Sequence, residues 1–122
     1  MIMTYEEIKK TLSVIENPVE KLELVMDIGA HIDPVPDGAI CSEIAGCASR
    51  VEICRKENRF FGTADSAIVR GIVAIIISMV DGKTPNEIKK MDLFKMFLDL
   101  DINLGAGRLS GVNSMIRFLQ NL

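Results

Sequence analysis

Three cysteines and one histidine carry the soft nucleophilic and metal-ligating chemistry of this chain. Cys41, Cys47 and Cys54 stand in the spacing C-x5-C-x6-C, and the single histidine, His31, lies upstream of them. Structural zinc wants close-spaced cysteine pairs that put two ligands on one tight turn. Neither gap here is that short, so the spacing argues against zinc or an iron–sulfur cluster, and no metal or other cofactor is expected. His31 has no Ser or Cys in a nucleophile motif to partner it and reads as a helix-end or loop residue. An odd number of cysteines disfavours a complete disulfide framework and fits a reducing compartment.

The three thiols differ in their surroundings. Cys54 lies in an alternating run and reads as a small, half-buried hydrophobe. Cys41 reads as a packing residue, with a resolving thiol as the alternative. Cys47 sits in "IAGCASRV", residues 44–51, after a glycine that bends the chain without a Cβ and before Ala48 and Ser49, which leave the sulfur open. Nucleophilic sulfur chemistry needs a thiolate and access, and this loop offers access. Composition and spacing leave a reactive Cys47 and a structural one both open. The glycine sets "GTADSAIVRG" and "LGAGRLSG" lack the spacing of a phosphate loop or a dinucleotide fingerprint and read as turns.

The elements that must position these residues are legible from caps and periodicity. "TYEE" at Thr4–Glu7 is a capping box that opens a helix running to about Ile15. Asn17 and Pro18 open a second helix, with apolar Val19, Leu22, Val25, Met26 and Ile28, that ends near Gly29. "DPVPDG", residues 33–38, is a loop because two prolines interrupt it. From Arg50 the residues alternate, with Val51 and Ile53 on one face, and "RFFGTA" follows the turn "KEN", which predicts a hairpin. A short strand before Gly46 adds a third member. Asp65 or Ser66 then caps the apolar helix "AIVRGIVAIIISMV", which ends at "DGK". "TPNE" is a further capping box, Asp92 opens "LFKMFLDL", "DINLGAGR" is a loop, and "LSGVNSMIRFLQNL" closes the chain as a helix. Helices gathered at both ends of a small antiparallel unit predict an α+β fold, a sheet of about three strands flanked by helices, in one domain over residues 1–122.

Bulk properties bound the function. At 48% hydrophobic and 25% charged residues the chain is globular, and with 5% aromatic residues and no Trp its core must be aliphatic. A net charge of −3 without a basic cluster argues against nucleic acid as a partner. The charged N-terminus lacks the apolar core of a signal peptide, and the longest apolar run contains Arg70 and is too short to span a bilayer. A cytoplasmic protein with no membrane association is expected.

At the Cys47 loop the sequence resembles the SufE/CsdE family of sulfur-acceptor proteins, whose motif is close to I-x-G-C-x-S-x-V. The resemblance continues through "GTADSAIVRGIVAIIISMVDGKTPNEI", residues 62–88, and "GRLSGVNSMIRFL", residues 107–119, in the same order. It implies an accessory protein for a pyridoxal-phosphate cysteine desulfurase in iron–sulfur cluster assembly. Cys47 would take the desulfurase's persulfide sulfur and pass it to a scaffold protein. The resemblance also implies stimulation of the desulfurase, and a cysteine tucked toward an apolar cavity when free and swung out on docking. Gly46, Ser49, Asp65 and Arg108 match positions that would support the loop or meet the partner. For Asp65 the plainer role is a helix cap, and for Arg108 a solvated or loop-bracing arginine before the last helix. Alternatives are a non-catalytic binding module that activates a desulfurase allosterically, and a sulfur relay to tRNA or cofactor thiolation. Whether a carrier with a transferring thiol is called an enzyme is a matter of definition. Homodimers occur in the family, and the sequence leaves this open. The chain departs from the pattern at Glu52, where the family commonly has Trp, in its shorter termini, and in the extra Cys41 and Cys54.

Overall fold

Local side-chain chemistry starts most of the helices in the computed structural model, which describes residues 3–122. Helix α1, Tyr5–Ser13, opens on the expected capping box: the Glu7 amide donates to Thr4 Oγ1 at 3.2 Å, and the Thr4 amide donates to Glu7 Oε1 at 3.0 Å. Asn17 accepts from the first-turn amides of α2, Pro18–Ala30, with proline in the first turn. Thr84 and Glu87 repeat the box at α4, Pro85–Lys89, and Asp92 caps α5, Leu93–Leu98.

Three strands form one antiparallel sheet in the order β1-β2-β3: Ile40–Glu43, Val51–Lys56 and Arg59–Ala64. The predicted hairpin is β2–β3, closed by a turn in which Glu57 takes a positive φ of 55°. The predicted third strand is β1, an edge strand whose one partner is β2. Against the sheet lies α3, Ala67–Val80, the central element. Its residues 71–77, Met79 and Val80 are buried, which is why the run carries almost no polar side chains. Across α3 packs α2, and the two backbones meet at Gly29 and Gly71. A Cβ on Gly71 would overlap the backbone carbonyl of Val25. Helix α6, Ala106–Gln120, contributes Val112, Met115, Ile116 and Leu119 to the same aliphatic core. The arrangement is α+β, as expected.

Several details differ from the sequence reading, first among them the glycines read as turns: Gly62 lies within β3, Gly71 within α3, and Gly107 and Gly111 within α6. Val19 and Met26 do not face the core; Val19 is 63% exposed at the start of α2 and Met26 is 37% exposed. Helix α1 stops at Ser13, where Val14 closes the last turn, ahead of the expected Ile15. Ser66, not Asp65, caps α3: its side chain accepts from the Val69 amide, while the Asp65 amide donates to the Arg50 carbonyl at 3.2 Å and so still belongs to the end of the sheet. The last helix starts at Ala106, not after Arg108. Gly105, at φ +82°, makes the bend that the loop was expected to spread over residues 101–108.

Among the described residues no helix is long and apolar enough to cross a membrane, and no group of His, Cys, Asp or Glu is placed to hold a metal ion.

Candidate functional site around Cys47

The loop between β1 and β2, residues 44–50, is anchored at its start. Ile44 is buried, and its amide donates to the Val51 carbonyl at 2.9 Å, adding one rung beyond the strands. The chain then has to turn onto α6. Gly46 makes the turn at φ +89°, a conformation that costs a residue with a Cβ. Space imposes glycine as well, because a Cβ there would lie 2.5 Å from Ser114 Oγ.

Cys47 follows, half-buried against α6. Its thiol points at the Gly111 carbonyl, with Sγ to oxygen 3.7 Å, the geometry of a weak S–H donor. A Cβ on Gly111 would stand 3.4 Å from the same sulfur, an ordinary contact distance, which shows how closely the thiol lies on α6. Gly111 and Ser114, at helical spacing, form the face of α6 that receives the loop, and Gly107, one turn earlier, borders the cavity. Beside the thiol opens a cavity of about 150 Å³, whose wall includes Ser49, Ser66, Val69, Arg108 and Met115. The sulfur therefore has room on one side and an acceptor on the other. Burial pushes the Cys47 thiol above its ordinary pKa, because the anion loses hydration there. In this position the group is a resting, protonated thiol.

The structure brings together Cys47, Ser49 and Arg108 around this cavity, with Gly46 beneath the loop. Arg108 is exposed in the first turn of α6. Asp65 lies outside the cavity wall, exposed at the end of β3. His31 caps the end of α2 with Nδ1 2.9 Å from the Asp27 carbonyl, the helix-end role expected of it.

The readings of Cys41 and Cys54 are overturned. They occupy directly opposite positions on β1 and β2 and are joined by a disulfide, S–S 2.05 Å. Cys54 is thus neither a free hydrophobe nor half-buried; it is 1% exposed. Cys41 is not a packing thiol but the exposed end of the bridge. The odd count bears on a full framework and is compatible with one pair and one thiol left over. That remaining thiol is Cys47, the free cysteine of the described residues.

Ser114 and Val69 were not singled out from the sequence, Gly111 and Met115 entered only with the stretch that resembles the family's last helix, and Ser66 only as a candidate cap. The small residues Gly111 and Ser114, three positions apart on α6, are the signal that marks the face where the loop comes close.

Comparison with known proteins bears on the family and the fold. The family described as "SufE: Fe-S metabolism associated domain" matches residues 6–122. The chain is 31% identical to the sulfur acceptor protein CsdE of Escherichia coli (strain K12), over 93% of this chain and 83% of that protein. It is 30% identical to an uncharacterized SufE-like protein of Rhizobium meliloti (strain 1021), over 84% of this chain and 81% of that one. A solution structure of a hypothetical protein from Thermus thermophilus has the same fold, with TM-score 0.68 over 98% of this chain and 94% of that chain at 13% identity. With the family match spanning nearly its whole length, the chain belongs to the SufE family.

Proposed function

We propose that this protein is a sulfur acceptor and carrier that takes persulfide sulfur from a pyridoxal-phosphate cysteine desulfurase onto Cys47. The observation that carries the reading is a free thiol, on a loop that turns at Gly46, seated beside a small cavity. The similarity to a protein named as a sulfur acceptor supports it.

The transfer is thiol–disulfide exchange with a persulfide in place of the disulfide. The Cys47 thiol gives up its proton, and its sulfur attacks the terminal sulfur of the partner's persulfide. The new S–S bond forms on Cys47, the old one breaks, and its electron pair leaves on the partner's cysteine. No net oxidation occurs. At rest the Cys47 thiol is held neutral by burial. Leaving the seat restores hydration, so exposure and activation come in a single movement. Gly46 provides the hinge, while Ser49 and Arg108 line the cavity beside the sulfur. The cofactor belongs to the desulfurase. The carrier then delivers sulfane sulfur to a scaffold for iron–sulfur cluster assembly.

Intact mass spectrometry after incubation with a cysteine desulfurase and free cysteine tests this. The expected result is one added sulfur atom mapped to Cys47, and a folded Cys47→Ser variant that gains none. Equal loading of that variant refutes the proposal. Desulfurase stimulation that survives Cys47→Ala would make the protein a binding module instead.

A further inference from the structure

The disulfide is not part of the sulfur-transfer chemistry just described, yet its ring encloses the reactive loop. Cys41 and Cys54 close the chain from residue 41 to residue 54, and Cys47 lies near the middle of that ring. We propose that Cys41–Cys54 is a second thiol-exchange site, opened by a dithiol reductant attacking Cys41, and that opening it frees the Cys47 loop.

Exposure fixes the direction of attack. Cys41 is exposed on the edge strand, whereas Cys54 is 1% exposed beneath it. An incoming thiolate reaches Cys41 Sγ. A mixed disulfide forms there, the Cys41–Cys54 bond breaks, and the electron pair leaves on Cys54, which takes up a proton. The reductant's second thiolate then attacks its own sulfur in the mixed bond and releases the Cys41 thiolate, which is protonated in turn. The bridge gains two electrons and two protons, and the dithiol becomes a disulfide.

Topology makes this bond matter to the loop. β1 has four residues and one hydrogen-bonded neighbour, β2. Between the bridge and the loop, Glu43 stands directly opposite Glu52, a like-charge pair that weakens a ladder. The exposed ion pair of Arg50 with Glu43, at 3.1 Å, offsets this only slightly. Ile40, at the other end of the strand, is 78% exposed and adds no burial. What remains once the bridge opens is a short edge ladder and the buried Ile44. Edge elements of this kind open locally at low free energy. The loop between β1 and β2 then leaves α6 more often, and Cys47 with it.

The test needs no desulfurase, so its outcome is separate from that of the sulfur-acceptor reading. Differential alkylation of the oxidised full-length protein should label Cys47 alone, and all three cysteines after reduction with dithiothreitol. The rate of Cys47 alkylation, followed by peptide mass spectrometry, should rise several-fold in the reduced protein and in Cys41→Ser, whose substitution is at the exposed end. A small redox protein with its second cysteine removed should be trapped as a mixed disulfide on Cys41. Equal Cys47 rates in both redox forms overturn the loop release. Trapping on Cys54, or a bridge that dithiothreitol leaves intact in the folded protein, overturns the exchange site.

Discussion

Replacing Gly46 with alanine probes the seat of the reactive loop directly, because two separable penalties meet there. The first is conformational: at φ +89° an L-residue is strained, at about 1–2 kcal/mol. The second is steric, since the new Cβ would lie 2.5 Å from Ser114 Oγ and 3.4 Å from its Cβ. The hydroxyl can swing aside only by losing its hydrogen bond to the Ser110 carbonyl, 3.2 Å long, at a cost of about 1 kcal/mol. Gly46→Ala should therefore lose about 2–3 kcal/mol, which at a slope of about 1.5 kcal/mol/M moves the urea midpoint down by about 1–2 M. Ser114→Ala removes the oxygen and keeps a Cβ at ordinary contact distance. Introduced into Ser114→Ala, which has already lost that hydrogen bond, Gly46→Ala should cost about 1 kcal/mol less than in the parent, leaving the conformational part. Urea unfolding followed by circular dichroism, with Cys47 alkylation rates in parallel, measures both. Gly46→Ala should also speed alkylation, since the strained loop leaves α6 more readily. Unchanged midpoint and unchanged alkylation in Gly46→Ala would refute the seat, and an equal cost of Gly46→Ala in the parent and in Ser114→Ala would refute the steric half.

Two other perturbations bear on the site and the scaffold. Because burial raises the Cys47 pKa, the pH profile of its alkylation should lie above that of an unfolded peptide carrying the same cysteine. The linked stability is fully present below the unfolded thiol's pKa and is lost as pH rises through the folded one. Cys47→Ala should therefore flatten the alkaline slope of stability, and an unaltered slope would contradict this. Gly71→Ala drives a Cβ into the Val25 backbone carbonyl, which no side-chain rotation relieves. The α2–α3 crossing must open at a cost of about 3 kcal/mol, measurable as a lowered thermal midpoint.

Much of the fold was written locally. Thr4 with Glu7, Asn17 with Pro18, Thr84 with Glu87, and Asp92 each act within one helical turn, so their caps could be placed before any packing was known. The alternation of Val51 and Ile53 and the unbroken apolar run of α3 likewise reported which surfaces are buried. The special place of Cys47 was legible too, because Gly46, Ala48 and Ser49 are its neighbours in the chain, and the motif around them carried the family resemblance.

What the sequence alone determined about this protein are the features that arise within a few residues: helix starts, strand alternation, and the open surroundings of one cysteine. Tertiary structure decided everything that depends on two distant segments meeting. The bridge between Cys41 and Cys54 required the register of β1 against β2, which a one-residue slip would have destroyed. The cap of α3 fell to Ser66, whose side chain accepts from the Val69 amide, because the chain stays in register with the sheet through Asp65, whose amide donates to the Arg50 carbonyl. The Cys47 seat needed Gly111 and Ser114, more than sixty positions away from Gly46 and Cys47, to arrive on the facing side of α6. Local chemistry chose the thiol; only packing could give it a place to rest and a cavity beside it.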